Sequence, residues 1–217
     1  MQPVSHVRRT LLVVLGAPLV HFFISLDGIG EVANYVRYPS DWGEIEDNIR
    51  RFDNLGENSI TNFHFTTHAL NIYRIPQVFH WADGSGLRNR KRFRHIQEYV
   101  CASLVHDPAY QNIRVLPGDY ERVITDKIEQ YMAKRMSGQH TDKLTAILDF
   151  MNSEDHSKRM PSLVEYTKML DKNRGTDFPR IFPELAPYWA RYEAVQDEQP
   201  SINGADRKYK SNILSGL

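Results

Sequence analysis

The sequence predicts an α/β fold, an open parallel sheet followed by a mostly helical carboxyl-terminal segment. Three observations carry this. Short β-branched and aromatic runs end at turn residues. Stretches with helical periodicity separate those runs. After Pro108 the strand signal stops and amphipathic segments follow one another. Strand, helix and strand in alternation is the pattern of βαβ units, whose strands lie parallel.

Residues 20–26, "VHFFISL", are apolar and stop at Asp27-Gly28, a strand running into a turn. Ser40 or Asp41 can cap the next segment, "WGEIEDNIRRFDNL", with Glu44 and Glu46 near its start. Trp42, Ile45, Ile49 and Phe52 recur on one helical face. "ITNFHFTTHAL", residues 60–70, begins in alternation and reads as a second strand. Pro76 then suits a first helical turn and Gly84 a helix end. "HIQEYVCASLVHD", residues 95–107, reads as a third strand. A short extended piece ending at Pro117 leads to a helix from about residue 119. "DKLTAILDFMNSED", "PSLVEYTKMLDKNR" and "FPELAPYWARYEAVQD" supply three more helices. The expected organisation is an atypical leader over 1–19, the sheet region over 20–117, a helical segment over 118–197 and a mobile polar tail over 198–217.

Composition narrows the function. The chain has 217 residues, with 27 basic side chains balanced by 27 acidic ones. Net charge therefore argues for neither nucleic acid nor an anionic membrane as partner. The basic run at residues 88–94, "RNRKRFR", reads as a solvated loop. One cysteine, Cys101, makes neither an internal disulfide nor a cysteine-built zinc or iron–sulfur site. Lack of a disulfide framework fits a cytoplasmic protein. "HVRRTLLVVLGAPLV" imitates a signal peptide, but Gly16, Pro18 and His21 break the apolar stretch. It is also shorter than the roughly 20 residues a membrane span needs. The favoured reading is a buried helix end or loop feeding the first strand.

Ligands of parallel α/β sheets bind at the carboxyl ends of the strands. Those ends hold Ser25, Asp27 and Gly28, then Thr66, Thr67, His68 and Asn71, then His106 and Asp107. Small polar groups with few charges suit a small polar ligand. Arg37 suits a ligand carboxylate or phosphate, bound in a bidentate pair. The simpler alternative is that Asp27 caps a turn and Arg37 pairs with it. His64 and His68 lie four apart along a strand, roughly 13 Å, too far to share a metal. "DGIGE" is not a dinucleotide fingerprint, and no GxSxG, P-loop or HExxH motif occurs.

In combination, "FISLDGIGEVANYVRYPSDWGEIEDNIRRF", "FHFTTHALNIYRIPQVFHW" and "NIRVLP" resemble the second half of twitch-domain radical S-adenosylmethionine (SAM) proteins. The stretch "ILDFMNSEDHSKRMPSLVEYTKMLDKNRGTDFPRIFPEL" adds a weaker similarity, and together these cover residues 20–185. The resemblance implies a partial TIM-like barrel of βα units. It implies SAM chelated to a 4Fe-4S cluster and cleaved to a radical that attacks a peptide or small-molecule substrate. It implies that Ser25 and Arg37 contact the amino acid end of SAM, with Asp27 on the same motif. Thr66, Thr67 and Asn71 correspond to another wall of the cavity. The departure is plain: the family's CxxxCxxC loop is absent, as are the auxiliary-cluster cysteines and the leading barrel strands. The expectation is a SAM- and substrate-side half that acts with a separate chain carrying the cluster. A degenerate binding module and an unrelated α/β domain are the alternatives.

Overall fold

The computed structural model describes residues 20–55, 59–87, 100–134 and 141–197. The 1–19 leader, the basic run at 88–94 and the 198–217 tail lie outside them, as does the side chain of Cys101. The described chain is α/β. Strands β1 (Val20–Leu26), β2 (Ser59–Thr67) and β3 (Val100–Leu104) form an open parallel sheet in the order β1-β2-β3. Between β1 and β2 come helices α1 (Gly30–Val36) and α2 (Trp42–Asp53). Between β2 and β3 comes α3 (Ile75–Gly84). Five further helices follow: α4 (Gly118–Ala133), α5 (Thr141–Met151), α6 (Met160–Arg174), α7 (Phe178–Ile181) and α8 (Ala186–Asp197).

The register pairs Ser25 with His64 and Leu26 with Phe65, and then Phe65 with Ala102 and Thr66 with Ser103. Alternation therefore gives one face to Phe22, Ile24, Leu26, Phe63, Phe65 and Thr67. That face meets the helices: Phe22 lies 4.9 Å from Phe52 of α2, and Phe63 lies 5.4 Å from Trp81 of α3. Phe23, Ser25, Asn62, His64 and Thr66 take the opposite face, on which Phe23 and Ser25 are exposed and His64 and Thr66 half-buried. The sheet thus has an apolar face under helices and a more polar second face.

The expected elements recur with identifiable causes. Asp41 caps α2, its Oδ1 accepting from the Glu44 N–H at 3.1 Å. Pro76 sits in the first turn of α3. Gly175, at φ +64, ends α6 in the left-handed conformation, and Pro161 begins it. Two readings differ. Helix α1 has no apolar periodicity long enough to be read. It forms because Val32, Ala33 and Tyr35 are buried together. The piece before Pro117, read as extended, is two 3-10 turns at Ala109–Gln111 and Ile113–Val115. One long-range and one local bond hold them: the Ala69 N–H donates to the Gln111 carbonyl at 2.8 Å, and Asn112 Oδ1 accepts from the Arg114 N–H at 3.0 Å.

The hydrophobic core runs from the sheet into the carboxyl-terminal helices. Tyr35 of α1 packs edge-on against Phe182 at 5.2 Å and Phe178 at 6.2 Å. Arg74 clasps Glu184 in a two-bond pair, 2.5 Å from Nε and 2.6 Å from Nη2. Arg174 donates to the Tyr35 carbonyl at 3.0 Å. Among the described residues no helix is long and apolar enough to cross a membrane.

Gly28 fixes the turn after β1. A Cβ there would stand 2.7 Å from Val32 Cγ1 and 3.2 Å from the Ala33 nitrogen. Gly28→Ala is therefore expected to cost about 1–3 kcal/mol by urea denaturation, through overpacking of α1 on the turn. Gly84→Ala, which meets nothing within 4 Å, is the control and changes stability by at most about 1 kcal/mol, in the stabilising direction.

Candidate functional site at the carboxyl edge of the sheet

The carboxyl ends of β1 and β2 are joined by one side chain. Asn71, fully buried, lies just past β2. Its Nδ2 donates to the carbonyl of Asp27 at 2.9 Å and to that of Thr66 at 2.7 Å. Its Oδ1 accepts from the backbone N–H of His68 at 2.8 Å. Both amide protons and the carbonyl are committed to backbone. Asn71 therefore clamps residues 27, 66 and 68 together, and its contribution to a ligand cavity is to shape the wall.

The turn and α1 bring Arg37 back to Asp27. Gly30, at φ +58, opens α1 in a conformation that favours glycine. Arg37 closes it, its N–H donating to the Ala33 carbonyl at 2.9 Å. Arg37 Nε then donates to Asp27 Oδ2 at 2.7 Å. The pairing of Arg37 with Asp27 is the one the simpler alternative expects; the residue before α1 is Ile29, and no side chain caps that helix. The Arg37 side chain keeps 40% of its surface, and its terminal amines have no partner among the described residues. Asp27 Oδ1 is buried and also without a partner.

Ser25 is exposed on the more polar face, two residues before Asp27, and Thr66 is half-buried on the same face. The structure thus gathers Asp27, Arg37 and Asn71 into one bonded group, with Ser25 and Thr66 beside it on the strands. His106 and Asp107 are exposed after β3, and His106 stacks edge-on against Phe150 at 5.3 Å. Among the described residues no three His, Cys, Asp or Glu side chains are placed to bind a metal ion.

His68, one of the polar residues read at the end of the second strand, is set apart by its burial. It is almost fully buried, and Leu70 donates its N–H to Nδ1 at 3.3 Å. Burial pushes its pKa down to about 4; the Asp27 carboxylate raises it and the Arg37 guanidinium lowers it further. The ring is neutral at pH 7 with its proton on Nε2, and that N–H has no partner. Apolar Ala69-Leu70 directly after His68 is the one sequence sign of a buried imidazole at this strand end.

Comparison of the chain with protein-family models, with curated proteins and with solved structures finds no match. What the site does rests on its own geometry and on the sequence motifs.

The depressed pKa of His68 has a stability consequence. Unfolded His68 takes up a proton below pH 6.5, whereas the folded ring resists until about 4. The stability that the neutral ring supports is complete above pH 6.5 and is lost as pH falls toward 4, by about 3 kcal/mol. Glu121, raised to about 7 by burial and by Asp155, changes stability in the opposite sense over an overlapping range. The measurement is therefore the wild-type pH profile minus that of His68→Phe, in which the acid loss attributable to residue 68 disappears.

Proposed function

We propose that this chain is the substrate-side half of a radical-SAM-type enzyme, binding the amino acid end of SAM at the carboxyl edge of its sheet. The observation that carries the reading is the Asp27–Arg37 pair beside Ser25, where one partner stays free on each residue. Arg37 holds Asp27 through Nε alone at 2.7 Å, which leaves its terminal amines for a carboxylate. Asp27 Oδ1 and the exposed Ser25 hydroxyl are acceptors for an α-ammonium group. The residue types fit the two charged ends of an amino acid. Consecutive strand order with helices on the apolar face supports assignment of the sheet as a wedge of a TIM-like barrel.

The cluster does not fit this chain. Three cysteine ligands are needed and the sequence has one cysteine. SAM supplies a sulfonium whose reductive cleavage requires that cluster, so the chemistry belongs to a complex with a separate chain carrying CxxxCxxC. The side chains here hold and orient: Arg37 takes the carboxylate, Asp27 and Ser25 the ammonium, and Asn71 keeps both strand ends in register. The substrate class is a small molecule or a peptide, and the compartment is the cytoplasm. The single cysteine favours one second reading, a non-catalytic module that keeps the pocket and binds its ligand without iron.

Calorimetry of the purified chain with SAM tests the first reading. Arg37→Ala raises Kd by about tenfold or more, the worth of a charge-assisted bond, and Arg37→Lys by less. Equal affinity for wild type and Arg37→Ala removes Arg37 from the site. Formation of 5′-deoxyadenosine only when a CxxxCxxC chain is added separates the enzyme half from the binding module.

A further inference from the structure

Away from the carboxyl edge of the sheet, an open cavity of about 270 Å³ lies where α1 meets α7. Glu31, Asn34 and Tyr35 reach it from α1, at a spacing of three and four residues that shares one helical face. Tyr38 and Pro39 line it from the turn after α1, and Arg180 lines it from α7. Ser25, Asp27, Arg37 and Asn71 do not border it. Arg180 Nη1 meets Glu31 Oε1 at 2.9 Å, tying α7 to α1. The two side chains keep 59% and 65% of their surface, and exposed pairs of this kind contribute little to stability. The bond uses one atom of each partner. Glu31 Oε2 and Arg180 Nε and Nη2 have no partner among the described residues. Asn34 adds a third group: its Oδ1 accepts from the Trp42 N–H at 2.6 Å, while its Nδ2 has no partner among the described residues.

The chemistry of the lining selects what it can hold. The cavity carries one positive and one negative side chain. A ligand with a single charge meets one opposite and one like charge there, whereas a zwitterion finds an opposite partner for each end. A carboxylate accepts from Arg180 and Asn34, and an ammonium donates to Glu31 Oε2. Tyr35, Tyr38 and Pro39 give an apolar wall. Tyr38 keeps 51% of its surface, and the Arg174 guanidinium lies 5.0 Å from its ring centroid. The volume falls just below the roughly 300–1,000 Å³ of sites that bury drug-sized ligands, which suits one amino acid better than a nucleoside conjugate such as SAM. We propose that this cavity is a second ligand site, for a free α-amino acid with an apolar or aromatic side chain. Arg180 and Asn34 hold the carboxylate, Glu31 holds the ammonium, and the side chain lies on Tyr38 and Pro39. Helix α1 then serves two sites, this cavity through Glu31 and Asn34 and the carboxyl edge through Arg37. The proposal does not rest on the edge binding SAM.

The test titrates the ¹⁵N-labelled full chain with L-phenylalanine, 3-phenylpropionate and phenethylamine. The three share a ring; the second lacks the ammonium and the third lacks the carboxylate. Phenylalanine binds about fivefold or more tightly than either analogue and moves the Asn34 side-chain amide resonance. Glu31→Gln abolishes the preference over 3-phenylpropionate, and Arg180→Gln abolishes the preference over phenethylamine. Both side chains are more than half exposed, so both variants fold. Equal affinity for the three ligands, no binding at tens of millimolar, or preferences that survive in both variants overturns the proposal. An ion pair that only straps α1 to α7 gives one of the first two results. Phenylalanine binding that is lost in Arg37→Ala and kept in Arg180→Gln places the amino acid at the carboxyl edge and also overturns it. Failure of SAM to bind, beside phenylalanine binding that needs Arg180, removes the SAM reading alone. SAM binding that needs Arg37, beside no phenylalanine binding, removes this one alone.

Discussion

One buried amide holds the working end of this molecule together. Strands β1 and β2 are parallel neighbours, so their carboxyl ends diverge into separate loops with no ladder to join them. Asn71 supplies the missing bonds, two donated and one accepted, to residues 27, 66 and 68. A buried side-chain amide that uses its protons and its oxygen on backbone carries no unsatisfied polar cost of its own. Everything else at the edge takes its position from that clamp. Asp27 stands where Arg37 can return to it, and the backbone of His68 is held beside the strand end.

The clamp is fully satisfied and the groups around it are not. Asp27 Oδ1, His68 Nε2 and Thr67 Oγ1 are all buried at the same end without partners. An apolar set of equal volume would hold the fold at least as well. In the carboxyl-terminal helices Trp189 donates to Thr167 Oγ1 at 2.8 Å, and aromatic rings of Tyr35, Phe178 and Phe182 interlock. Three buried atoms with unspent hydrogen-bonding capacity thus lie where a parallel sheet presents its ligands. Fold and site agree in location while differing in how completely they satisfy themselves.

Much of the architecture was legible because single residues set it. The apolar run ending in Asp27-Gly28 marks β1 to its last residue, and Asp41 and Gly175 mark helix ends by their side-chain and backbone chemistry. Helix α1 was not legible, because seven residues give too little periodicity and burial decides its form. The Asp27–Arg37 pair was readable as a pair of charges ten residues apart. That the pair would leave free groups on both partners was not, since it depends on which nitrogen of Arg37 is used. Asn71 read as a cavity residue and proves to be a backbone clamp as well. His68 was legible as a strand-end residue, but its neutral state was not, because that depends on three-dimensional burial and on the Leu70 N–H at Nδ1.

Taken together, the edge presents the terminal amines of Arg37 and the unpartnered Oδ1 of Asp27, and the sequence has a single cysteine. On the proposed reading this edge is a binding wall, and a separate chain supplies the cluster. The most direct measurement is amide and side-chain chemical-shift mapping of the full chain with SAM. The account predicts saturable shifts at Ser25, Asp27, Arg37 Nε, Thr66 and His68, with α5 and α8 unmoved. Shifts confined to the carboxyl-terminal helices, or none at saturating SAM, would contradict it.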